Sequence, residues 1–155
     1  MRSELSGLAC TVGGVGWSPW VAVGSEPEIA VVFIPGLPIR GLYAPQQQTI
    51  ALRAGQTRRM RRSVLAEELA HHRLGHRPHP DHTETRRMEV RARRWAACRL
   101  VSLADLAAAM VGALSWAEVA ERLEVDPALL ESRLTCLGET ELVELRDRLG
   151  GRESP

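Results

Sequence analysis

Two glutamates and two histidines share one predicted helix in the middle of the chain. Nothing interrupts helical periodicity between about residues 58 and 76, where apolar residues recur at three- and four-residue steps. Because a helix turns once every ~3.6 residues, Glu67 and His71 lie on one face, one turn apart. Glu68 and His72 have the same relation on the adjoining face. This is the spacing that a metal-binding helix uses.

The spacing matches the zinc motif H-E-x-x-H with one exchange. In that motif the first and fifth residues bind zinc, and the glutamate in second place acts as general base. Here Glu67 stands at the first position, Glu68 at the second and His71 at the fifth. A carboxylate is an accepted zinc ligand, so the geometry survives the exchange while the ligand set becomes more anionic.

A second long helix is predicted over about residues 84–100, after an irregular loop of roughly eight residues. Such a loop lets the second helix fold back antiparallel beside the first. Glu89 lies in its first turns and is the candidate third metal ligand. Ala92 and Ala96 continue the same stripe, and their small side chains would let the two helices approach closely.

Other interpretations of these residues stay open. Glutamate and histidine four residues apart are common as weak pairs on exposed helices. In a register shifted by one residue, His72 would bind the metal together with Glu68. A histidine from the end of the first helix or the loop would replace the missing ligand, and the candidates are His76, His79 and His82.

Both helices resemble those of the ImmA/IrrE metallopeptidases. The first is similar to that family's "LAHELAHHxLGH" helix and the second to its downstream "ExxAxxFAxxLL" helix. The matching segments are Ser63-Val-Leu-Ala-Glu67-Glu68-Leu-Ala-His71-His72-Arg-Leu-Gly75-His76 and Glu89-x-x-Ala92-x-x-Trp95-Ala96-x-x-x-Leu100. The resemblance includes the paired segments 41–43 and 49–52 and covers about residues 28–149.

This resemblance implies a small zincin-like domain with one zinc as cofactor. It assigns His71 and Glu89 as metal ligands, Glu68 as general base, and Glu67 to the place of the missing histidine. Members of the family act on DNA-binding repressors in phages, mobile elements and stress responses. The chain is therefore expected to cleave a cytoplasmic regulatory protein such as a repressor. The alternative is an inactive pseudo-peptidase that binds a repressor or antitoxin without cutting it.

An α+β fold is predicted, with a small three-stranded antiparallel sheet packed on the two long helices. Residues 29–34 are rich in β-branched side chains and lie between prolines, and residues 41–44 and 49–52 flank a short turn as a hairpin. Tyr43 in this hairpin is a candidate oxyanion donor, or else packs within it. The expected divisions are an unassigned segment (1–27), a metallopeptidase-like core (28–101) and a helical tail (102–155).

The predicted tail consists of short helices with recognisable N-caps, namely Ser102, Ser115, Asp126 and Thr140. Residues 116–134 resemble a helix-turn-helix. Residues 100–155 carry a net charge of −6, however, which is the wrong sign for a DNA reader. The tail is expected to pack on the core or hold a protein partner, and direct binding of nucleic acid is not expected.

Charge is segregated along the chain: −1 over residues 1–52, +8 over 53–99 and −6 over 100–155. The basic middle and the acidic end can attract each other, or an anionic partner can dock on the middle. Three cysteines without a C-x-x-C pair favour reduced thiols in a cytoplasmic protein. The apolar residues 5–24 are broken by glycines, which argues against a signal peptide or membrane span.

Overall fold

The computed structural model describes residues 16–150. Its described part forms three strands and seven helices, which confirms the predicted α+β class. In chain order they are α1 (Pro19–Gly24), β1 (Ala30–Ile34), β2 (Gly41–Ala44), β3 (Thr49–Arg53), α2 (Arg58–Arg73), α3 (His82–Leu100), α4 (Leu103–Met110), α5 (Trp116–Arg122), α6 (Pro127–Thr135) and α7 (Glu139–Gly150).

The sheet has three strands as predicted, but it is mixed rather than purely antiparallel. The strand order is β1-β3-β2, with β1 parallel and β2 antiparallel to β3. The hairpin of β2 and β3 is a local feature that turn residues specify. The pairing of β1 is long-range, and side-chain alternation does not encode strand direction. The central strand β3 is the most buried of the three, and its Ile50 and Leu52 are both fully buried.

One face of the sheet packs on α2, and this packing places strand β2 beside the predicted metal helix. Ile50 and Leu52 share a core cluster with Val64 and Leu69. Gly41 of β2 faces the same helix so closely that a Cβ atom there would overlap Val64 Cγ1 and lie 3.1 Å from Glu68 Oε1. A side chain at this position would therefore push the edge strand away from α2.

The tail packs on the two long helices and shares one core with them. Ala66 of α2 and Ala96 of α3 belong to the same buried cluster as Leu129 of α6. The hydroxyl of Ser63 also accepts a buried hydrogen bond of 2.8 Å from the backbone N–H of Asp126. The inner face of α6, in the helix-turn-helix-like segment, is thus covered by α3.

Opposite charges meet where the tail joins the core. The guanidinium of Arg62 donates to the carbonyl oxygen of Leu123 at 2.9 Å, and Arg58 lies 3.5 Å from Glu124. Arg40, before β2, lies 3.4 Å from Asp126. Arg58 and Arg62, from the basic middle of the chain, therefore bind the acidic tail.

Three of the four predicted N-caps are present. The side chains of Ser102, Ser115 and Asp126 each accept a backbone N–H in the first turn of the following helix. The prediction for Thr140 is wrong, because α7 begins at Glu139 and the first i,i+4 bond runs from Leu142 N–H to the Gly138 carbonyl.

The cysteine prediction needs a correction. Cys98 on α3 is disulfide-bonded, so the expectation of three reduced thiols is wrong for this residue. Cys136 is a free thiol, and Arg94 Nε lies 3.1 Å from its sulfur.

The unassigned segment 1–27 lies partly outside the described residues, and its described part contains α1. This short helix starts at Pro19, after Ser18, as the proline at the first helical position indicates. Between residues 16 and 150, no helix has both the length and the apolar character needed to cross a membrane.

Substituting Gly41 tests the close approach of β2 to α2. We expect Gly41→Ala to lower the free energy of unfolding by about 1–3 kcal/mol, because the new methyl group overlaps Val64. Urea unfolding measures this change. Gly24→Ala is the matched control, since a Cβ there meets nothing within 4 Å and should change stability by less than about 0.5 kcal/mol. Equal effects of the two substitutions would contradict the packing argument.

Acid should weaken the anchor of α7. Arg133 is 2% exposed and donates to the Val101 carbonyl at 2.9 Å and to Glu141 Oε1 at 2.6 Å. Partial burial opposes ionisation of Glu141, but the hydrogen bond and charge of Arg133 outweigh it and lower the pKa of Glu141 below 4.5. A lowered folded-state pKa stabilises the fold above the unfolded-state value, and this contribution is lost as the pH falls through the folded value.

We therefore expect Glu141→Gln to be less stable than the wild type at neutral pH, with a difference that shrinks steadily below the ordinary carboxyl pKa of 4.5. Urea unfolding of both proteins at several pH values provides the measurement. A difference that does not depend on pH would show that the Glu141 charge contributes nothing.

Candidate metal centre

Helices α2 and α3 run antiparallel and form two polar contacts, one helical turn apart. His71 Nε2 lies 3.5 Å from Glu89 Oε1, and Arg93 Nε donates to Glu67 Oε2 at 3.2 Å. The helices come this close because Ala92 and Ala96 are small and almost fully buried between them. The structure thus brings His71 and Glu89 together and leaves Glu67 paired with Arg93.

The contact between His71 and Glu89 shifts both groups toward their charged forms. Burial opposes protonation of His71, but hydrogen bonding to Glu89 outweighs it and raises the pKa of His71. The same hydrogen bond lowers the pKa of Glu89. The imidazole of His71 and the carboxylate of Glu89 therefore stabilise each other's charged forms.

A zinc ion fits the separation of these two atoms. Bonds of about 2.0–2.2 Å to nitrogen and oxygen place neighbouring ligands of a tetrahedral zinc roughly 3.3–3.5 Å apart. His71 Nε2 and Glu89 Oε1 are separated by 3.5 Å. Glu67 lies one turn before His71, and its second carboxylate oxygen, Oε1, is not used by Arg93. Two of the three predicted ligand residues are thus at a separation that suits zinc, whereas the carboxylate of Glu67 is bonded to Arg93.

Glu68 lies between α2 and the edge strand. Its carboxylate accepts the backbone N–H of Tyr43, and its side chain lies against Gly41. Burial raises the pKa of Glu68 to about 7, with Glu89 adding to the rise and His71 opposing it. A carboxyl group with a pKa near neutrality suits general-base chemistry.

The end of α2 folds His76 back onto His71. Gly75 adopts a φ of 65°, which glycine tolerates, and the His76 N–H donates to the His71 carbonyl at 2.9 Å. The Nδ1 atoms of the two rings are 3.0 Å apart, and His76 is 8% exposed. Of the three histidines considered as replacement ligands, His76 contacts the site, while His79 and His82 are exposed.

His72 faces a different group of side chains. Its Nδ1 is 2.9 Å from Tyr43 Oη, and its Nε2 is 3.1 Å from Glu26 Oε2 and 3.8 Å from Glu28 Oε1. Among residues 16–150, Glu26, Glu28 and His72 are the one set of three potential ligand residues whose ligand atoms lie within 4.8 Å of one another. Arg73 already pairs with Glu26, so a cation there would compete with a guanidinium.

Arg93, Glu26 and Glu28 lie next to the predicted site residues, but their places were not predicted from the sequence. Arg93 is one of several arginines on α3, and nothing in its spacing marks it as the partner of Glu67. Glu26 and Glu28 flank a proline before β1, and only the folded sheet brings them to His72. The position of Glu26 and Glu28 beside His72 depends on tertiary contacts, and no local sequence pattern indicates it.

These residues line a cleft of about 740 Å³ between β2, α2 and α3. Tyr43 and Leu42 form the strand side, and His71 and Glu89 lie on the helices. Arg77 and His79 of the interhelical loop also contribute to its wall. The cleft is open to solvent.

A small mixed sheet packed on a helix with a Glu-Glu-x-x-His sequence, facing a glutamate on the next helix, defines a metallopeptidase-like domain. The chain belongs to the peptidase M78 family, the IrrE N-terminal-like domain, whose family model matches residues 26–135. This confirms the ImmA/IrrE resemblance. No curated protein and no solved structure matches the chain.

The bond between Tyr43 and His72 can be tested through stability. We expect Tyr43→Phe to cost about 0.5–1.5 kcal/mol of unfolding free energy, because it removes the 2.9 Å hydrogen bond to His72. Urea unfolding gives the value. In a His72→Ala background the same change should cost clearly less, since the partner is gone. Identical costs in both backgrounds would mean that this hydrogen bond does not stabilise the fold.

Proposed function

We propose that the protein is a zinc-dependent endopeptidase that cleaves a cytoplasmic regulatory protein, such as a repressor of a phage or mobile element. The observation that carries this proposal is the 3.5 Å contact between His71 Nε2 and Glu89 Oε1, in a cleft that Glu68 also lines. Membership of the peptidase family supports the class of reaction. The repressor substrate follows from the family resemblance.

Glu67, His71 and Glu89 would hold the zinc. A bound zinc supplies a Lewis acid that polarises a peptide carbonyl and acidifies a water molecule. Glu68 would accept the proton of the attacking water as the water oxygen bonds to the peptide carbonyl carbon, since burial has raised the pKa of Glu68 to about 7. It would then deliver this proton to the amine nitrogen as the peptide C–N bond breaks.

The substrate would lie along β2. This strand is at the edge of the sheet and lines the cleft, so an extended peptide can pair with it by β-augmentation. The Tyr43 hydroxyl is a candidate oxyanion donor, and this role requires it to leave His72, to which it is hydrogen-bonded.

A pseudo-peptidase that binds a repressor or antitoxin without cutting it is the second candidate. The ion pair of Glu67 with Arg93 favours it, because this pair occupies one oxygen of the carboxylate at the first ligand position. A DNA-binding regulator is the least supported reading, since the inner face of α6 is buried against α3 and the tail is acidic.

Metal content separates the two leading candidates. We expect purified protein to retain about one zinc per chain after dialysis, and His71→Ala and Glu89→Ala to lose it. His72→Ala is the control, because His72 lies with Glu26 rather than with Glu89. Loss of zinc only in His72→Ala would place the metal at the other group. A wild-type protein that neither contains nor is stabilised by zinc would refute the peptidase proposal.

Catalysis is tested with Glu68→Gln. This variant should keep the zinc and the fold but cut at least about 100-fold more slowly, because it cannot accept the proton. New protein N-termini in cells expressing the wild type, and their absence with the variant, would identify the substrate. The same N-termini with both proteins would rule out Glu68 as the base.

A further inference from the structure

Glu67 stands where the family's zinc motif has its first histidine, and Arg93 on the facing helix α3 forms an ion pair with it. Arg93 lies one turn after Glu89 on α3, as Glu67 lies one turn before His71 on α2. Its Nε donates to Glu67 Oε2 at 3.2 Å, and the Glu67 side chain is only 19% exposed. The two pairs form successive contacts between the same two helices.

The first role of Arg93 is to compensate the negative charge of Glu67. A histidine at the first position would be a neutral ligand, whereas Glu67 adds one negative charge beside Glu68 and Glu89. Three carboxylates in one partly buried cleft repel one another, and burial adds to the cost of their ionisation. Arg93 supplies one positive charge where the exchange adds one negative charge.

Geometry gives the pair a second role. A carboxylate has two oxygens, and ligating carboxylates are commonly held by a hydrogen bond from outside the ligand set. Arg93 holds Oε2 and leaves Oε1 of Glu67 for a ligand in the cleft.

We propose that Glu67 and Arg93 act as one unit in place of the family's first histidine, with Glu67 as the zinc ligand and Arg93 as its positioning residue. This inference rests on the proposed zinc site. Arg93 positions the metal ligand only while that ligand is Glu67, and it loses this function when a histidine stands at position 67.

A double-mutant cycle on zinc affinity tests the unit. Wild type, Arg93→Gln, Glu67→His and the double variant are titrated with zinc against a chromophoric chelator. In the wild-type background, Arg93→Gln should weaken zinc binding by about 10–100-fold, the usual cost of losing a partner of a ligand. In the Glu67→His background the same change should tighten binding, because Arg93 is then an unmatched cation beside the metal.

The sign reversal is the readout that a merely structural role would not produce. Arg94→Gln is the matched control, because it removes the same charge one residue along α3, where the side chain contacts Cys136 instead. It should leave zinc affinity within about threefold, and thermal unfolding of every variant verifies the fold.

Two results would overturn the inference in distinguishable ways. If the wild type binds zinc and Arg93→Gln has the same effect in both backgrounds, Arg93 does not act through Glu67, although the proposed function stands. If the wild type binds no zinc but the double variant does, the ion pair excludes the metal, and the proposed function fails as well.

Discussion

The close antiparallel contact of α2 and α3 is the constraint on which the rest of the site depends. Ala92 and Ala96 are almost fully buried in this contact, and larger side chains would separate the helices. At the present distance His71 reaches Glu89, and Glu67 reaches Arg93. Because packed interfaces resist small deformations, both contacts are fixed by the same two small residues.

Helix α2 is held from two further directions, and each fixes a different part of the chemistry. The sheet approaches at Gly41 and gives Glu68 a backbone donor from Tyr43. The tail approaches at Ser63, through the bond from Asp126 N–H. The candidate base is therefore positioned by the sheet, whereas the candidate ligands are positioned by α3, so a change in one packing surface need not disturb the other.

Features with local causes were predicted from the sequence. The two long helices follow from periodicity, the caps at Ser102, Ser115 and Asp126 from their own hydroxyl or carboxylate, and the approach of Glu89 to His71 from loop length. Thr140 fails as a cap because capping residues are also tolerated inside helices, and only the observed start at Glu139 separates the two cases.

Features with tertiary causes were not predicted. The parallel pairing of β1 with β3 is a long-range contact, and it places β3 at the centre although β1 has the more apolar sequence. Glu26 reaches His72 only after that sheet has formed. The disulfide of Cys98 contradicts the expectation from cysteine spacing. The strand pairing and the contact of Glu26 with His72 each join segments that no local pattern connects.

The replaced histidine shows how one exchange changes what its neighbours must supply. An anionic ligand in a half-buried cleft is costly without a nearby cation. A metal supplies that cation only while it is bound, whereas Arg93 supplies it in the metal-free protein as well. Without Arg93 the pKa of Glu67 would rise further, because burial already raises it. The glutamate at position 67 and the arginine at position 93 therefore depend on each other, and the side chains of α2 have to be considered together with those of α3.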